Sequence, residues 1–371
     1  MRVDRLRLRD FRTYATVDVA VGPGLTVLHG PNGAGKTNLL EALYFGCTAR
    51  SCRTANERDM VRFDAPAARV EVDTSDRDGA HTLSVGFQPG EPKRIKVDGA
   101  PVERLTDSPA RPLVSVFLPD RLELVKGAPS LRRAHLDQLV AALWPARAGN
   151  RAQYSRAMAQ RNALLARVRA GRVGEASLDA WDAELARWGI ALRDDRAAAV
   201  ARVAESFPQL ATELGLAGAA EVRYRPRTKA VEPTELAAEL LERRSSDVER
   251  GFTQHGPHRD ELLLLRDGRE LKSFGSQGEQ RLALLALLLA ERAVLTEERG
   301  APPLMLLDDV MSELDADRRG MLVARLDDGG QAVVTTTDLG HVPGAQAPAV
   351  VRLKVSPGTV LQDAAAAAAA A

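Results

Sequence analysis

Gly30-Pro31-Asn32-Gly33-Ala34-Gly35-Lys36-Thr37 fits the phosphate-binding pattern G-x-x-x-x-G-K-[ST]. The stretch follows an apolar strand-like run, Leu25-Thr26-Val27-Leu28, and opens a helical run, Asn38 to Tyr44. Strand, loop and helix in that order is the context the pattern needs. Its glycines let backbone N–H groups curl around phosphates at a helix N-terminus. Lys36 supplies a point charge to the β- and γ-phosphates, and the Thr37 hydroxyl is placed to ligate Mg²⁺. Gly30 to Thr37 are therefore expected to bind nucleotide, with ATP and Mg²⁺ as cofactors.

Such a loop needs an acidic partner at the end of a hydrophobic strand. Leu304-Met305-Leu306-Leu307-Asp308-Asp309 provides one, far downstream. Asp308 is the expected Mg²⁺ ligand, acting through water, and Asp309 the group that orients the attacking water. Almost the whole chain lies between the two halves of its own nucleotide site.

With 371 residues, 45% hydrophobic and 27% charged, the chain is long enough for two cored domains. No apolar run approaches the roughly 18 residues of a membrane span. Residues Met1 to Leu8 alternate like a strand and lack the core of a signal peptide. The two cysteines, Cys47 and Cys52, fit a reducing cytosol and a cytoplasmic protein, and neither a zinc site nor a disulfide framework. A net charge of +1 announces no polyanion partner, but nine arginines stand against Asp137 alone between Ala128 and Arg172. That stretch is either a DNA surface or a solvated helix face in an arginine-rich chain.

Residues 1 to about 120 read as strand-rich, with period-two alternation at Ala68–Thr74 and Thr82–Phe87 and a buried-type run at Leu113–Leu118. From about Ser130 to Leu216 the apolar spacing turns helical, as in Leu136, Leu139, Val140, Leu143 and Trp181, Leu185, Trp188, Leu192. Two or three helices are predicted, turning near Arg169–Ala176. The segment after Gly278 is apolar all round and should be buried, and 331–337 reads as a core strand. The expected fold class is α/β: an ATPase head with an inserted short helical arm or lobe. Its expected parts are 1–128 (head, N-terminal part), 129–244 (arm), 245–363 (head, C-terminal part) and 364–371, an alanine tail with no fixed role.

Ser273-Phe274-Gly275-Ser276-Gln277-Gly278-Glu279-Gln280-Arg281 separates the classes that share the first two motifs. A glycine-containing turn opening a helix offers N–H groups and the Ser276 hydroxyl to an anion; an ordinary helix N-cap is the alternative. Its place shortly before the acidic strand resembles the signature of ABC-type ATPases, and Ser312-Glu313-Leu314-Asp315 resembles their D-loop. The resemblance implies that Ser276, Gln277, Gly278 and Asp315 of one copy meet nucleotide held by Lys36 of another. ATP would then drive dimerisation.

Further stretches extend the likeness: Leu8–Tyr14, Ser51–Thr54, Arg58–Phe63, Phe117–Gly127, Arg132–Asp137 and Gly256-Pro257-His258-Arg259-Asp260. Over nearly all its length except the tail, the chain resembles the RecF family, recombination-mediator ATPases related to the heads of SMC proteins and Rad50. The resemblance implies binding to double- and single-stranded DNA when ATP-loaded, at gaps or junctions. It also implies work with recombination mediator proteins, recombinase loading in DNA replication and repair, and the SOS response.

Two positions depart from transporter ATPases. Asp309 stands where they carry Glu, and a shorter carboxylate reaches water less well, so slow, DNA-stimulated hydrolysis is expected. Thr335-Thr336-Thr337-Asp338 occupies the place of their switch histidine, with His341 slightly later. Arg53 either reaches nucleotide or DNA, or forms a surface salt bridge. His255, His258 and Asp260 read as structural groups in a turn in preference to a metal site. The alternatives are an ABC transporter's ATPase subunit, whose signature falls much closer to its phosphate loop, and an SMC-like head, which needs a long heptad insertion. A metabolic kinase would lack the Ser276–Gln280 segment.

Overall fold

Val3, Leu6, Leu8 and Phe11 lie on one face of the first strand and are buried, while Arg2, Arg5 and Arg9 on the other face are exposed. That alternation suits a sheet with one wet face. In the computed structural model, which describes residues 1–54, 56–105, 108–118 and 122–362, the chain forms two compact units. One comprises 1–121 with 295–371, and the other 122–294. The alanine tail and the Pro119-Asp120-Arg121 part of the Phe117–Gly127 stretch lie outside the described residues.

The first unit holds two sheets. Strands β1 (Arg2–Phe11), β2 (Tyr14–Ala20), β4 (Ala68–Ser75), β5 (Ala80–Phe87), β6 (Arg94–Val97) and β7 (Ala100–Pro101) form an antiparallel sheet in the order β2-β1-β4-β5-β6-β7. Strands β3 (Leu25–His29), β8 (Val114–Phe117), β12 (Leu304–Leu307), β13 (Ala332–Thr336), β14 (Val351–Ser356) and β15 (Thr359–Gln362) form the other, ordered β15-β14-β3-β13-β12-β8. All its pairings are parallel except β14 with β15. Strand β12 is buried along its whole length, as a central parallel strand should be. Helix α1 (Lys36–Thr48) contacts both sheets. Its approach to β4 is so close that a Cβ at Gly46 would lie 2.4 Å from Val72. Helix α10 (Ala316–Asp327) completes the unit.

The second unit contains helices α2 (Glu123–Lys126), α3 (Pro129–Leu143), α4 (Gly149–Arg169), α5 (Asp179–Glu213), α6 (Pro233–Glu242), α7 (Arg244–Arg250) and α8 (Leu271–Phe274). A sheet of β9 (Ala220–Arg225), β10 (Glu261–Arg266) and β11 (Arg269–Glu270) packs with them. Helix α9 (Gln277–Arg299) begins here, and the division between units falls inside it. Residues Ala283 to Ala290 of α9 are buried, as their uninterrupted apolar character predicts. The signature segment and β10 thus pack with the helical unit, whereas the sequence reading assigned both to the head.

Helices α4 and α5 run antiparallel, since Arg161 bonds Asp182 (2.5 Å) while Asn150 bonds Asp195 (2.8 Å). Their interface overturns part of the reading of the arginine-rich stretch. Arg161 is fully buried and also donates to Asp247 (2.7 Å) and the Thr253 hydroxyl (2.8 Å). Arg132 is buried against Glu261, 2.6 and 3.0 Å away. Neither can meet DNA. Arg151 and Arg147 are exposed but hold Asp137 at 2.9 Å and Asp195 at 3.2 Å, leaving Arg156, Arg167, Arg169 and Arg172 as the other exposed members of that stretch.

The Gly256–Asp260 turn is structural, as expected. His258 Nε2 lies 3.1 Å from the Thr253 carbonyl and must donate to it. Nδ1 is then an acceptor and takes the Tyr154 hydroxyl proton at 2.7 Å. Burial lowers the His258 pKa from 6.5 to about 4, so the folded unit keeps the ring neutral. The folded value lies below the unfolded one, so this stabilisation is complete above pH 6.5 and drains away as the pH falls towards 4. About 3 kcal/mol is at stake. Unfolding free energies at pH 7.5 and about pH 4.5 should differ by most of that amount. His258→Gln, which does not titrate, should flatten this part of the profile; identical profiles for both proteins would refute the assignment.

Candidate nucleotide site

The carboxyl ends of β3, β13 and β12 lie side by side, with β13 in the middle. In parallel sheets, ligands gather at those ends. The loop after β3 can be built only with glycine at two positions. A Cβ on Gly30 would stand 2.2 Å from the Val355 carbonyl oxygen, and one on Gly35, whose φ is 107°, 2.5 Å from the Tyr14 hydroxyl. Gly35 caps α1, whose first N–H groups have no carbonyl one turn back to bond.

Chain folding brings the two distant motifs together. Thr37 Oγ1 lies 2.8 Å from Asp308 Oδ2 although 271 positions separate them. The intervening strand β13 fixes the arrangement: Thr335 Oγ1 donates to Asp308 Oδ1 at 2.7 Å and accepts from the Asp309 N–H at 2.9 Å. The Asp309 backbone is left-handed, with φ of 49°, a conformation Asp tolerates better than most residues. Lys36 Nζ donates to the carbonyls of Gly30 (2.7 Å) and Pro31 (2.9 Å). Burial lowers its pKa, opposed by the nearby charges of Asp309 and Asp308. Burial likewise raises the pKa of Asp308, against the hydrogen bonds from Thr335 and Thr37.

Sequence reasoning placed Thr335 in a core strand, where transporter ATPases carry their switch histidine, and missed its bond to Asp308. It also missed a charged hub on α1. Glu41 is completely buried and accepts Arg12 through both oxygens, each at 2.8 Å, and the Ser51 hydroxyl at 2.5 Å. Arg53 donates to Glu41 (3.3 Å) and to Asn38 (2.9 Å), and its charge is felt at Asp308. Arg53 is thus salt-bridged and still a neighbour of the phosphate loop. A signal existed: Glu41 is the one acid on an otherwise apolar helix face. Its partners could not be read off.

The residues present fit a Mg–nucleotide. The first-turn amides and the Lys36 ammonium suit phosphate oxygens. The Thr37 hydroxyl and Asp308 carboxylate are hard oxygen donors, and a cation would offset the burial that strains the Asp308 charge. No group of three His, Cys, Asp or Glu side chains suited to a metal occurs among the described residues. That is the expectation for Mg²⁺, which keeps waters and substrate phosphates as ligands.

Asp315 caps α10, accepting the Arg318 N–H at 3.0 Å. In the other unit, Ser276 Oγ accepts the Glu279 N–H at 3.3 Å, and Glu279 accepts the Ser276 N–H at 2.8 Å. This reciprocal capping box is the ordinary reading of Ser276, and it leaves the exposed hydroxyl free to donate outward. Gln277 and Gly278, also exposed, form the first turn of α9. Burial pushes the Cys47 thiol up to about 12. No described helix is long and apolar enough to cross a membrane.

The family described as "RecF/RecN/SMC N terminal domain" matches residues 2–357. The chain is 38% identical to the DNA replication and repair protein RecF of Streptomyces avermitilis, over 97% of this chain and 99% of that protein. It is 39% identical to the protein of the same name from an Anaeromyxobacter species, with the same coverage. The chain belongs to the RecF family. A solved structure described as the recombination mediator protein RecF with ATP in the RecFOR pathway superposes with a TM-score of 0.86 at 28% identity, covering 98% of this chain and 97% of that one. An Smc head domain from Pyrococcus furiosus shares the fold, with a TM-score of 0.57 at 16% identity. The family places the chain among α/β ATPase heads, and the transporter alternative is not favoured.

Proposed function

We propose that this protein is an ATP-dependent DNA-binding protein of recombinational repair and replication, in which ATP binding assembles a homodimer on DNA. The convergence of Thr37, Asp308 and Thr335 beside the Lys36 loop carries this reading. The RecF family membership supports its repair context and its association with recombination mediator proteins. ATP with Mg²⁺ supplies the triphosphate charge that the loop is shaped to hold. Lys36 and the amides of Gly33 to Thr37 bind and orient the phosphates, Thr37 and Asp308 hold the cation, and Asp309 orients water. Ser276, Gln277 and Gly278 of a second copy donate to the exposed end of the triphosphate, with Asp315 crossing the same interface. Nucleotide state then shifts the monomer–dimer balance.

Sedimentation with ATP, ADP or no nucleotide, with and without duplex DNA, tests the whole proposal. ATP alone should produce the dimer; a chain that stays monomeric under every condition refutes it. Ser276→Asp is the sharper variant, because Asp keeps the N-cap and sets a negative charge against the incoming triphosphate. It should bind ATP normally as a monomer and lose ATP-dependent dimerisation. An undiminished dimer would remove Ser276 from the interface.

A further inference from the structure

Two cavities of the helical unit, of about 480 and 680 Å³, share Arg227 and Arg259 in their walls and so form one groove. Arg243 and Arg250 complete one side, and Arg133 and Arg225 the other. These six arginines come from four places in the sequence: α3, the end of β9 with the segment after it, the ends of α7, and the Gly256–Asp260 turn. Arg225 is paired with Glu270 at 3.7 Å, but the two acids in the lining do not neutralise the other five. Asp247 is bonded to buried Arg161, and Glu261 to buried Arg132. Arg227, Arg243, Arg250 and Arg259 are exposed, and no carboxylate lies within salt-bridge distance of any of them among the described pairs.

The groove is rigidly built. Asp260, fully buried, accepts the Arg227 N–H at 2.7 Å, the Tyr224 hydroxyl, and Arg196 at 3.4 Å. Arg196 also donates to the Pro257 carbonyl at 2.8 Å. One carboxylate therefore ties the Arg227 segment to the turn that presents Arg259, and the bonds of His258 described above pin that turn from its other side. Fixing several mutually repelling guanidinium groups around a concave surface is unfavourable unless a polyanion offsets the repulsion. Guanidinium forks suit phosphate oxygens.

We infer that the groove lined by Arg227, Arg259, Arg243, Arg250, Arg133 and Arg225 is a binding track for the phosphodiester backbone of DNA. The inference rests on the proposed DNA-binding function and gives it a surface that shares only Arg133 with the arginine-rich Ala128–Arg172 stretch. The exposed guanidiniums make contacts blind to base sequence, and each phosphate they neutralise releases counterions.

The test uses the full chain with ATP and a fluorescent duplex, following affinity against salt concentration. Arg227→Ala with Arg259→Ala should weaken binding about tenfold or more and lower the slope of log affinity against log salt by roughly 2. ATP affinity should be unchanged. Arg227→Lys with Arg259→Lys should restore most of the slope, because lysine keeps the charge. Arg94→Ala, an exposed arginine of the other unit, controls for loss of charge alone and should leave the slope near that of the wild type. If the double alanine variant keeps the wild-type affinity and slope, the track is wrong while the DNA-binding reading stands. If the unaltered protein binds no duplex in any nucleotide state, that broader reading falls first.

Discussion

Lys36→Met is expected to lower ATP affinity by about a hundredfold or more, roughly 2.7 kcal/mol. Met matches the four-atom stem of Lys without its ammonium and leaves the loop glycines in place, so the effect isolates the charged head. Two causes add. The ammonium's charge-assisted bonds to phosphate oxygens, each worth about 1.5–3 kcal/mol, are lost. The carboxylates of Asp308 and Asp309, whose charges Lys36 feels, then face the triphosphate without the fixed ammonium. Lys36 also bonds the Gly30 and Pro31 carbonyls, so a small change in thermal stability should accompany the loss. Calorimetric titration with ATP checks the result, and near-normal affinity would sink the assignment of the loop.

Arg161→Met should destabilise the helical unit by about 3–5 kcal/mol, the usual cost of breaking a buried ion pair from one side. Asp182 keeps Arg244 at 2.6 Å after the change, but Asp247, fully buried, loses its guanidinium partner among the described residues. For a unit of this size the corresponding transition should fall by roughly 10 °C. Arg156→Met, on the same helix but exposed, should move it by about a degree or less. Circular dichroism melts of both variants decide the point. Equal melting temperatures would mean that the buried cluster contributes little to stability, and would return Arg161 to consideration as a surface group.

The contrast between these two residues shows where sequence reading succeeds. Lys36 belongs to a contiguous loop whose proposed chemistry depends on eight neighbouring residues, and that reading needed no coordinates. The strands around it, the buried helix after Gly278 and the helical pair near Arg169–Ala176 were legible for the same reason, because periodicity is a local property. Arg161 sits in a run of arginines that reads like a solvated or DNA-facing surface. The positions of Asp182, Asp247 and Thr253, from 21 to 92 residues away, make it a core residue.

By itself the sequence determined the α/β class and the family, and it pointed to the phosphate loop and its acidic partner strand, because each is carried by a short run or by similarity along the chain. Tertiary structure alone decided that Thr335 holds Asp308, that Glu41 gathers Arg12 and Arg53, and that Asp260 sets Arg227 beside Arg259. Those pairings join residues tens to hundreds of positions apart. Nothing in a local pattern says which charge meets which until the sheets and helices have packed.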